Sequence, residues 1–597
     1  MYHLIRNISF IIPFFILGQS VSQRNGNAWI LGYDNDSTHI PKYGKTILNF
    51  STGNVEINYT PGKKVPALGN LNSSIADSTG SLRYFTDGYR IYNSIQELIP
   101  GGDSLNYGEI WENFKDGFFY PTENNHFFLP YPNYENHRTV LFHLSPEYYS
   151  GLQTRSSYVP TFRMSEIVSD SFTGKSRVVF RDSIILRGDF NEFHMSCTKH
   201  ANGRDWWIIL EDYKTNNHKI FLFDPGGIHL KHNQSIGIAG DAYMWSGNSL
   251  FSPDGSKYIK YLSAYNIQVF NFDRCTGVLS NAKHIPTTYS SKNEFFNLAV
   301  SSNSRFLYFC SSLFLWQYDL NSENIKNSVE LIGQWDGYLF KNKLPTSFYQ
   351  MALADDGKIY ISCRSSSIYL HVINSPNEHG TNCNFVLRGL KLPAYMFGGP
   401  PALPNYKLGS IDNSLCDSLG INNFPIAEFG YLQDSNQYLK IKFRDLSYHE
   451  PKEWQWEFED LNYSTLISND TSPYHNFPKV GIYKVCLRVK NSNGESSICK
   501  NLIIEPTVDQ DTTNSKSIVS VYPNIIHDKF NLVINYYLPM DATLILFDEL
   551  GRVVFYSKVR NGINSYNIDY LSKGLYYYSC TNEKKIISTG KLIKLDY

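Results

Sequence analysis

From residue 202 onward the chain repeats one pattern of polar and apolar positions. A polar turn leads into an alternating, aromatic run. Asn202-Gly203-Arg204-Asp205 precedes Trp206-Trp207-Ile208-Ile209, and Ser252-Pro253-Asp254-Gly255 precedes Tyr258-Ile259. Ser302-Asn303-Ser304-Arg305 precedes Phe306-Leu307-Tyr308-Phe309, and Asp355-Asp356-Gly357-Lys358 precedes Ile359-Tyr360-Ile361. An earlier copy sets Asp77-Ser78-Thr79-Gly80-Ser81 before Leu82-Arg83-Tyr84-Phe85. Turn positions 203, 255, 304 and 357 are 52, 49 and 53 residues apart. Short alternating runs between turn residues predict strands. A strand-rich unit recurring about every 50 residues predicts a β-propeller, each unit one four-stranded blade that cannot bury both faces alone. Residues 23–408 have room for about seven blades. Residues 110–195 repeat poorly, which leaves six or eight open.

The pattern changes after residue 408. Trp454-Gln455-Trp456-Glu457-Phe458 alternates, and Gly481 through Val489 alternates again. Strand, turn, strand and hairpin within residues 424–505 predict a small β-sandwich. Cys486 and Cys499 flank Asn491-Ser492-Asn493-Gly494, a strong turn signal. A hairpin centred there sets the two cysteines opposite each other, within reach of a cross-strand disulfide. Two buried free thiols are the alternative. Cys383 and Cys416 form a second candidate pair that spacing cannot assign. Residues 506–517 (PTVDQDTTNSKS) are polar and read as a linker. Residues 518–597 hold short strand-like runs, among them Phe530–Ile534, Ala542–Phe547, Val553–Tyr556, Leu575–Tyr578 and Lys591–Leu595. The fold class expected is all-β throughout: propeller, immunoglobulin-like sandwich, and a small C-terminal sandwich.

Composition narrows the function classes. Aromatics make up 15% of the chain and charged residues 18%, with formal net charge −1. Nucleic-acid binding needs a concentrated basic surface, so it is not expected. At the N-terminus His3 and Arg6 precede an apolar run, Ile8–Leu17, and then the small residues Ser20-Val21-Ser22. This predicts a signal peptide over 1–22, cleaved between Ser22 and Gln23. The apolar run is shorter than the roughly 20 residues of a spanning helix, so no transmembrane helix is expected in the mature chain.

Three resemblances add to this reading. Most of 27–408 resembles a family of exported bacterial propeller proteins. The resemblance is carried by Trp29-Ile30-Leu31-Gly32, the run Phe85–Asn93 (FTDGYRIYN), the run His200–Trp207 (HANGRDWW), Phe251-Ser252-Pro253-Asp254-Gly255 and Leu403-Pro404-Asn405-Tyr406. It implies the fold and carries no agreed activity. Residues 424–505 look like a PKD domain, whose pattern is W-x-W-x-F-G-D-G, P-x-H-x-Y and G-x-Y-x-V-x-L-x-V. Here Glu459 and Leu461 replace both glycines of the first motif, and Phe477 replaces the tyrosine of the second. Residues 518–597 resemble the type A C-terminal sorting domain of the type IX secretion system. Tyr522-Pro523-Asn524, Phe530-Asn531-Leu532, the run Asp548–Val553 with Gly551 and Arg552, Gly574-Leu575-Tyr576 and Lys591-Leu592 match in order. Ile525 departs from the usual second proline. This resemblance implies the type IX machinery as partner and passage across the outer membrane. In that family the domain is typically then removed, and the mature protein is attached to surface lipopolysaccharide or released.

Candidate chemistry is sparse. No H-E-x-x-H or G-x-S-x-G motif occurs. Gly174-Lys175-Ser176 lacks the first glycine of a phosphate loop, and Asp34-Asn35-Asp36 lacks the glycine and distal glutamate of a calcium loop. His194, Cys197 and His200 have suggestive spacing, but on one strand 194 and 200 share a face that 197 does not. No metal or cofactor is therefore expected, and His200 is expected to bond between blades. Trp206 and Trp207 face opposite sides of a strand. Packing between blades is expected of them first, and stacking on a sugar second. Asp254, Asp355 and Asp356 are expected to bond local backbone. The function expected is a secreted or cell-surface protein whose propeller binds an extracellular glycan or protein. The alternative is an extracellular polymer-degrading hydrolase or lyase with carboxylates converging from several blades, which would leave no local motif.

Overall fold

The computed structural model describes residues 24–33, 43–61, 68–69, 71–115, 126–148, 157–170, 173–240, 247–262, 266–287, 296–401, 403–433, 437–459, 465–504, 519–522, 525–526, 528–534, 542–559, 562–582 and 585–595. The signal peptide, its Ser22–Gln23 cleavage site, the Asp34–Asp36 loop, the 506–517 linker, Pro523 and Asn524 lie outside the described residues. The chain divides into two compact units, 1–506 and 507–597. Among the described residues no helix is long and apolar enough to cross a membrane.

Among the described residues seven antiparallel blade sheets follow one another from Ala28 to Met396, with a small two-stranded hairpin, Leu339–Phe340 and Leu344–Pro345, before the last. Blades one and two show three strands each, and blades three to seven show four. Each blade packs its apolar faces on the next. Trp207 packs on Phe272 and Tyr261 on Phe309, while Ile30 with Phe85, Tyr84 with Phe128, and Tyr308 with Ile361 share continuous buried clusters. The last interface joins blade seven to blade one, where Trp29 and Phe50 pack edge-on and tilted against Tyr360. The sheets thus close into a ring, and both faces of every blade are interior.

The repeated turn seen in the sequence has one structural place. Gly80, Gly203, Gly255, Ser304 and Gly357 all join the first strand of a blade to its second, and all have positive φ, from 59° to 87°. Side-chain oxygens fix the turn. Asn202 Oδ1 accepts from the amide of Arg204 at 3.0 Å, Asp254 Oδ1 from Ser256 at 3.0 Å, Asn303 Oδ1 from Arg305 at 3.2 Å and Asp356 Oδ1 from Lys358 at 3.1 Å. The Asx residue closes the turn and glycine supplies φ > 0 without a Cβ penalty.

After Met396 the chain crosses the ring interior. Gly399 lies against Gln350 of blade seven, and Leu403 packs on two inner clusters. Asn405 donates to Pro253 O at 2.6 Å, and the buried Tyr406 hydroxyl to Phe128 O at 2.7 Å. Pro400, Pro401 and Pro404 supply no N–H, so this crossing fills space without extending a ladder.

A β-sandwich follows. Phe429–Gln433, Lys440–Asp445 and Tyr474–Asn476 face a second sheet of Thr465–Ser468, Glu453–Glu459, Gly481–Asn491 and Gly494–Ile504. Trp456, Phe443, Phe458, Phe477 and Tyr483 fill it. Cys486 and Cys499 stand opposite in register and are bridged, S–S 2.08 Å. Cys416 pairs with Cys275, not with Cys383, which is a buried free thiol on blade seven's connection.

The second unit is also a sandwich. Val519–Tyr522, Lys529–Ile534 and Gly562–Asn567 form one sheet; Ile525–Ile526, Lys585–Lys594, Gly574–Asn582, Ala542–Phe547 and Val553–Val559 form the other. Phe530, Leu532, Leu544, Leu546 and Leu592 are buried between them.

Candidate functional site

Two places in the first unit can serve a ligand, one at each mouth of the ring. Because strands alternate, the first-to-second turns of blades two to seven lie at one mouth, and their second-to-third turns and the blade-to-blade links at the other; the described strands of blade one run in the opposite sense, so its Thr52–Gly53 turn lies at the first mouth and Tyr33 and Tyr43 at the second.

At the first mouth the turns are covered. Gly203 faces Ser410, Gly255 faces Leu408, and Gly357 faces Leu446 of the sandwich; a Cβ at Gly357 would stand 2.9 Å from the Leu446 side chain. The glycines that make the repeat are thus also the floor on which the following chain rests. Arg444 donates to Asn374 O at 2.9 Å and Asp356 O at 3.0 Å, both in blade seven. Lys500 donates to Thr52 O of blade one at 2.5 Å and pairs with Glu428. The sandwich therefore holds both sides of the seam between the last blade and the first.

Beneath this cover lies a cavity of about 1200 Å³. Its walls are the first strands of blades four to seven, including Thr198, Asn248, Leu298 and Gln350. The connecting strap around Asn405–Asp412 and sandwich residues Leu446–Glu450 close it. Its charged side chains have polar partners, and Lys407 and Asp355 form an ion pair. Lys407 Nζ is 3.1 Å from Asp355 and bonds the Tyr448 hydroxyl. Burial disfavours the Lys407 ammonium, but Asp355 and Tyr448 outweigh it and hold its pKa above the ordinary value. Burial pushes the Asp355 carboxyl up, and the Tyr448 hydroxyl up to about 12. Asp254 bonds Ser252 and Ser256, Asp412 bonds Ser410 and Asn493, and Asp445 bonds Trp454. Arg274 donates to three backbone carbonyls, Lys199, His200 and Gly409, and burial lowers it to about 10.

The second mouth faces away from the sandwich. Here Tyr33 packs on Tyr43 (5.5 Å between centroids), Tyr43 on Tyr395 (5.2 Å), Tyr395 on Phe340 (5.9 Å) and Phe340 on Tyr369 (5.7 Å). The Tyr33 hydroxyl donates to Ser366 Oγ at 2.7 Å. Lys341 stands over Tyr395 and Phe340, its Nζ 5.0 and 5.8 Å from their centroids. Lys341 and Asn342 both have positive φ, 52° and 57°, in the three-residue turn of a short hairpin. Tyr33, Tyr43 and Tyr369 are half-buried, so part of each ring meets solvent.

The sequence candidates fall elsewhere. Trp206 and Trp207 are 1% and 3% exposed. Trp206 packs edge-on against Tyr406; Trp207 packs against Phe272 and donates to Arg274 O at 2.7 Å. A buried ring has no face for a sugar, so neither offers a stacking platform. His194, Cys197 and His200 do not converge. His194 bonds Glu211 and Tyr261 O, Cys197 lines the cavity, and His200 reaches Cys275 O of the next blade at 3.1 Å. Among the described residues no group of three His, Cys, Asp or Glu side chains could hold a metal ion. Reasoning from sequence missed a buried charge cluster between blades four and five. Glu211 bonds both His194 and Lys260, with His218 3.3 Å from Lys260. Burial works against the Glu211 carboxylate, but His194 and Lys260 hold it down at about 2; burial and Lys260 push His218 down to about 4. The four residues sit on four different strands of two blades, and no local pattern marks them.

In the second unit Asp548 and Arg552 close the hairpin between Ala542–Phe547 and Val553–Val559. Asp548 accepts from the amides of Leu550 and Arg552 and from Arg552 Nε at 2.7 Å, while Gly551 takes φ 77°. Tyr576 donates to Ser572 O at 2.6 Å. Gly574 begins its strand, Lys591 pairs with Tyr577, and Tyr522 ends the first strand.

Comparison with known proteins matches these units. The family model for the PKD domain matches residues 422–504, and that for the secretion system C-terminal sorting domain matches 520–595. No curated protein matches the chain. Among solved structures, a functionally unknown protein from Desulfotomaculum acetoxidans is 13% identical, with 63% of this chain and 98% of that one covered, TM-score 0.34. A putative 6-phosphogluconolactonase from Bacteroides uniformis is 12% identical, covering 76% and 97%, TM-score 0.30. The periplasmic gluconolactonase of Pseudomonas aeruginosa is 10% identical, covering 80% and 100%, TM-score 0.32. The chain thus joins a propeller to a PKD domain and ends in a type IX secretion sorting domain, which directs it to secretion or the cell surface.

Proposed function

We propose that this exported chain is a binding protein, and that its propeller holds an extracellular glycan or protein at the mouth facing away from the PKD domain. The observation that carries this reading is the five-ring cluster of Tyr33, Tyr43, Tyr395, Phe340 and Tyr369 with Lys341 above it. Aromatic rings give large contact area at low conformational cost, and a lysine over them adds a cation that a glycan acid or protein carboxylate can meet. Holding a lysine at positive φ costs roughly 1–2 kcal/mol, a strain that fits a site selected for function. The alternative, a polymer-degrading hydrolase or lyase, needs two or more carboxylates aimed at one point. Asp254, Asp355, Asp412 and Asp445 each serve a separate partner.

The test is retention on an array of bacterial and host glycans and on a surface-protein extract, with the processed first unit. Substituting Tyr43→Ala together with Lys341→Ala is expected to weaken retention about tenfold or more. No retained partner, together with release of fragments from a polysaccharide by the same sample, would replace the binding reading with the enzymatic one.

A further inference from the structure

The connection between propeller and PKD domain is built as a cover with a fastening. Beyond the buried anchor Tyr406, residues 407–423 run across the first mouth and close one side of the cavity. At its propeller end the strap is pinned by Lys407 to Asp355 and by Gly409 O to Arg274. At its middle Ile411 N donates to Ala201 O at 2.7 Å. At its far end Asn491 and Asn493 donate to Asn423 O, and Asn493 to Asp412. Between these points it buries little. Leu415 is fully exposed, and Ile411 and Leu419 are exposed as well. A segment with few buried apolar contacts opens at low free energy unless something else holds it. What holds it is the Cys275–Cys416 disulfide, one residue beyond Leu415, which ties the strap to blade five. The PKD domain keeps its own contacts to blades one and seven through Lys500 and Arg444, so the strap is free to lift while both bodies stay in place.

We propose that residues 407–423 are a gate over the junction cavity and that the Cys275–Cys416 disulfide is its bolt. The structure contains its own reporter. Cys197 is a free thiol, 7% exposed, on the cavity wall. Cys310, Cys363 and Cys383 are free and buried elsewhere in the ring, and report on the fold as a whole. This inference concerns access to the cavity and is independent of what the opposite mouth binds.

The experiment is alkylation with N-ethylmaleimide, followed residue by residue by mass spectrometry, on the native chain and on C275S/C416S and C486S/C499S. In the native chain Cys197 is expected to react slowly. In C275S/C416S its rate rises about tenfold or more, while Cys310, Cys363 and Cys383 stay protected. In C486S/C499S, which opens a bridge inside the PKD domain, Cys197 keeps its native rate. Equal protection of Cys197 in the native chain and C275S/C416S would overturn the gate. So would fast labelling in the native chain, or the same rise in C486S/C499S. Should C275S/C416S fail to fold, hydrogen exchange on the native chain decides. The Ile411 amide is expected to open at lower free energy than the blade amides of Ile208 and Ile209. Exchange of Ile411 only with those core amides would exclude a separately moving strap.

Discussion

His218 and His371 are two of the buried histidines that govern how the first unit responds to acid. His371 Nε2 donates to Thr346 O at 2.8 Å and its Nδ1 accepts from the Arg388 amide at 3.1 Å, which fixes a neutral ring. Burial pushes His371 down to about 4, and burial with Lys260 does the same to His218. Both folded values lie below the ordinary histidine value, so between pH 6.5 and 4 the unfolded chain takes up protons that the folded chain refuses. Stability from these residues is complete above pH 6.5 and is lost as pH falls toward 4, on the order of 3 kcal/mol per histidine. Thermal unfolding from pH 7.5 to 4.5 is expected to show a falling midpoint, with a shallower fall in His371→Gln. A second residue-scale expectation concerns Gly357. Gly357→Ala imposes φ 74° on a side chain and presses Leu446, costing about 1–2 kcal/mol in urea unfolding. The turn residues were legible because Asx and glycine have a fixed job there. The fate of Trp206 and Trp207 was not: both faces of a propeller blade are interior, so alternation cannot say which ring meets solvent.

Two hairpins carry the element-scale expectations. The Cys486–Cys499 bridge was readable from the turn alone, since Asn491–Gly494 sets the register that places the sulfurs opposite each other. Cys486→Ala with Cys499→Ala is expected to destabilise the PKD domain by about 3 kcal/mol, measured as an earlier urea transition. In the sorting domain, Asp548→Ala removes three acceptor contacts from the Asp-Glu-Leu-Gly-Arg turn. A loss of about 1 kcal/mol is expected, with less chain reaching the cell surface in a fractionation assay. Blade three shows where the pattern fails. Its strands run 11, 13 and 12 residues after the first, against five to nine in most others. Register shifts break its outer pair between Val178, Phe180 and Ser183. Its first turn is built on Asn133 at φ 68°, without glycine. A repeat read from turn spacing loses its marker there.

The whole molecule is held by contacts between residues hundreds of positions apart. Cys275 and Cys416 are 141 residues apart, with no turn between them to announce the pairing, so sequence alone left Cys416 unassigned. The same long reach makes the propeller and PKD domain one body. A fragment ending at residue 408 loses the Cys416 bridge, the Arg444 contacts and the Lys500 contact at once. It is expected to unfold at lower temperature than a fragment ending at 506, by calorimetry, and to expose Cys275 to thiol reagents. Deleting 518–597 is expected to leave the chain in the periplasm; arrival of the truncated chain at the surface would contradict the sorting role.

One feature of the junction bears on how such a protein resists force. The ring closes at blades seven and one by the rings of Trp29, Phe50 and Tyr360, and among the described residues no strand ladder crosses that seam. A tether pulling on the far side of the PKD domain does not peel this seam apart. Arg444 carries tension to blade seven and Lys500 carries it to blade one. The domain works as a yoke: tension enters the ring on both sides of that seam at once.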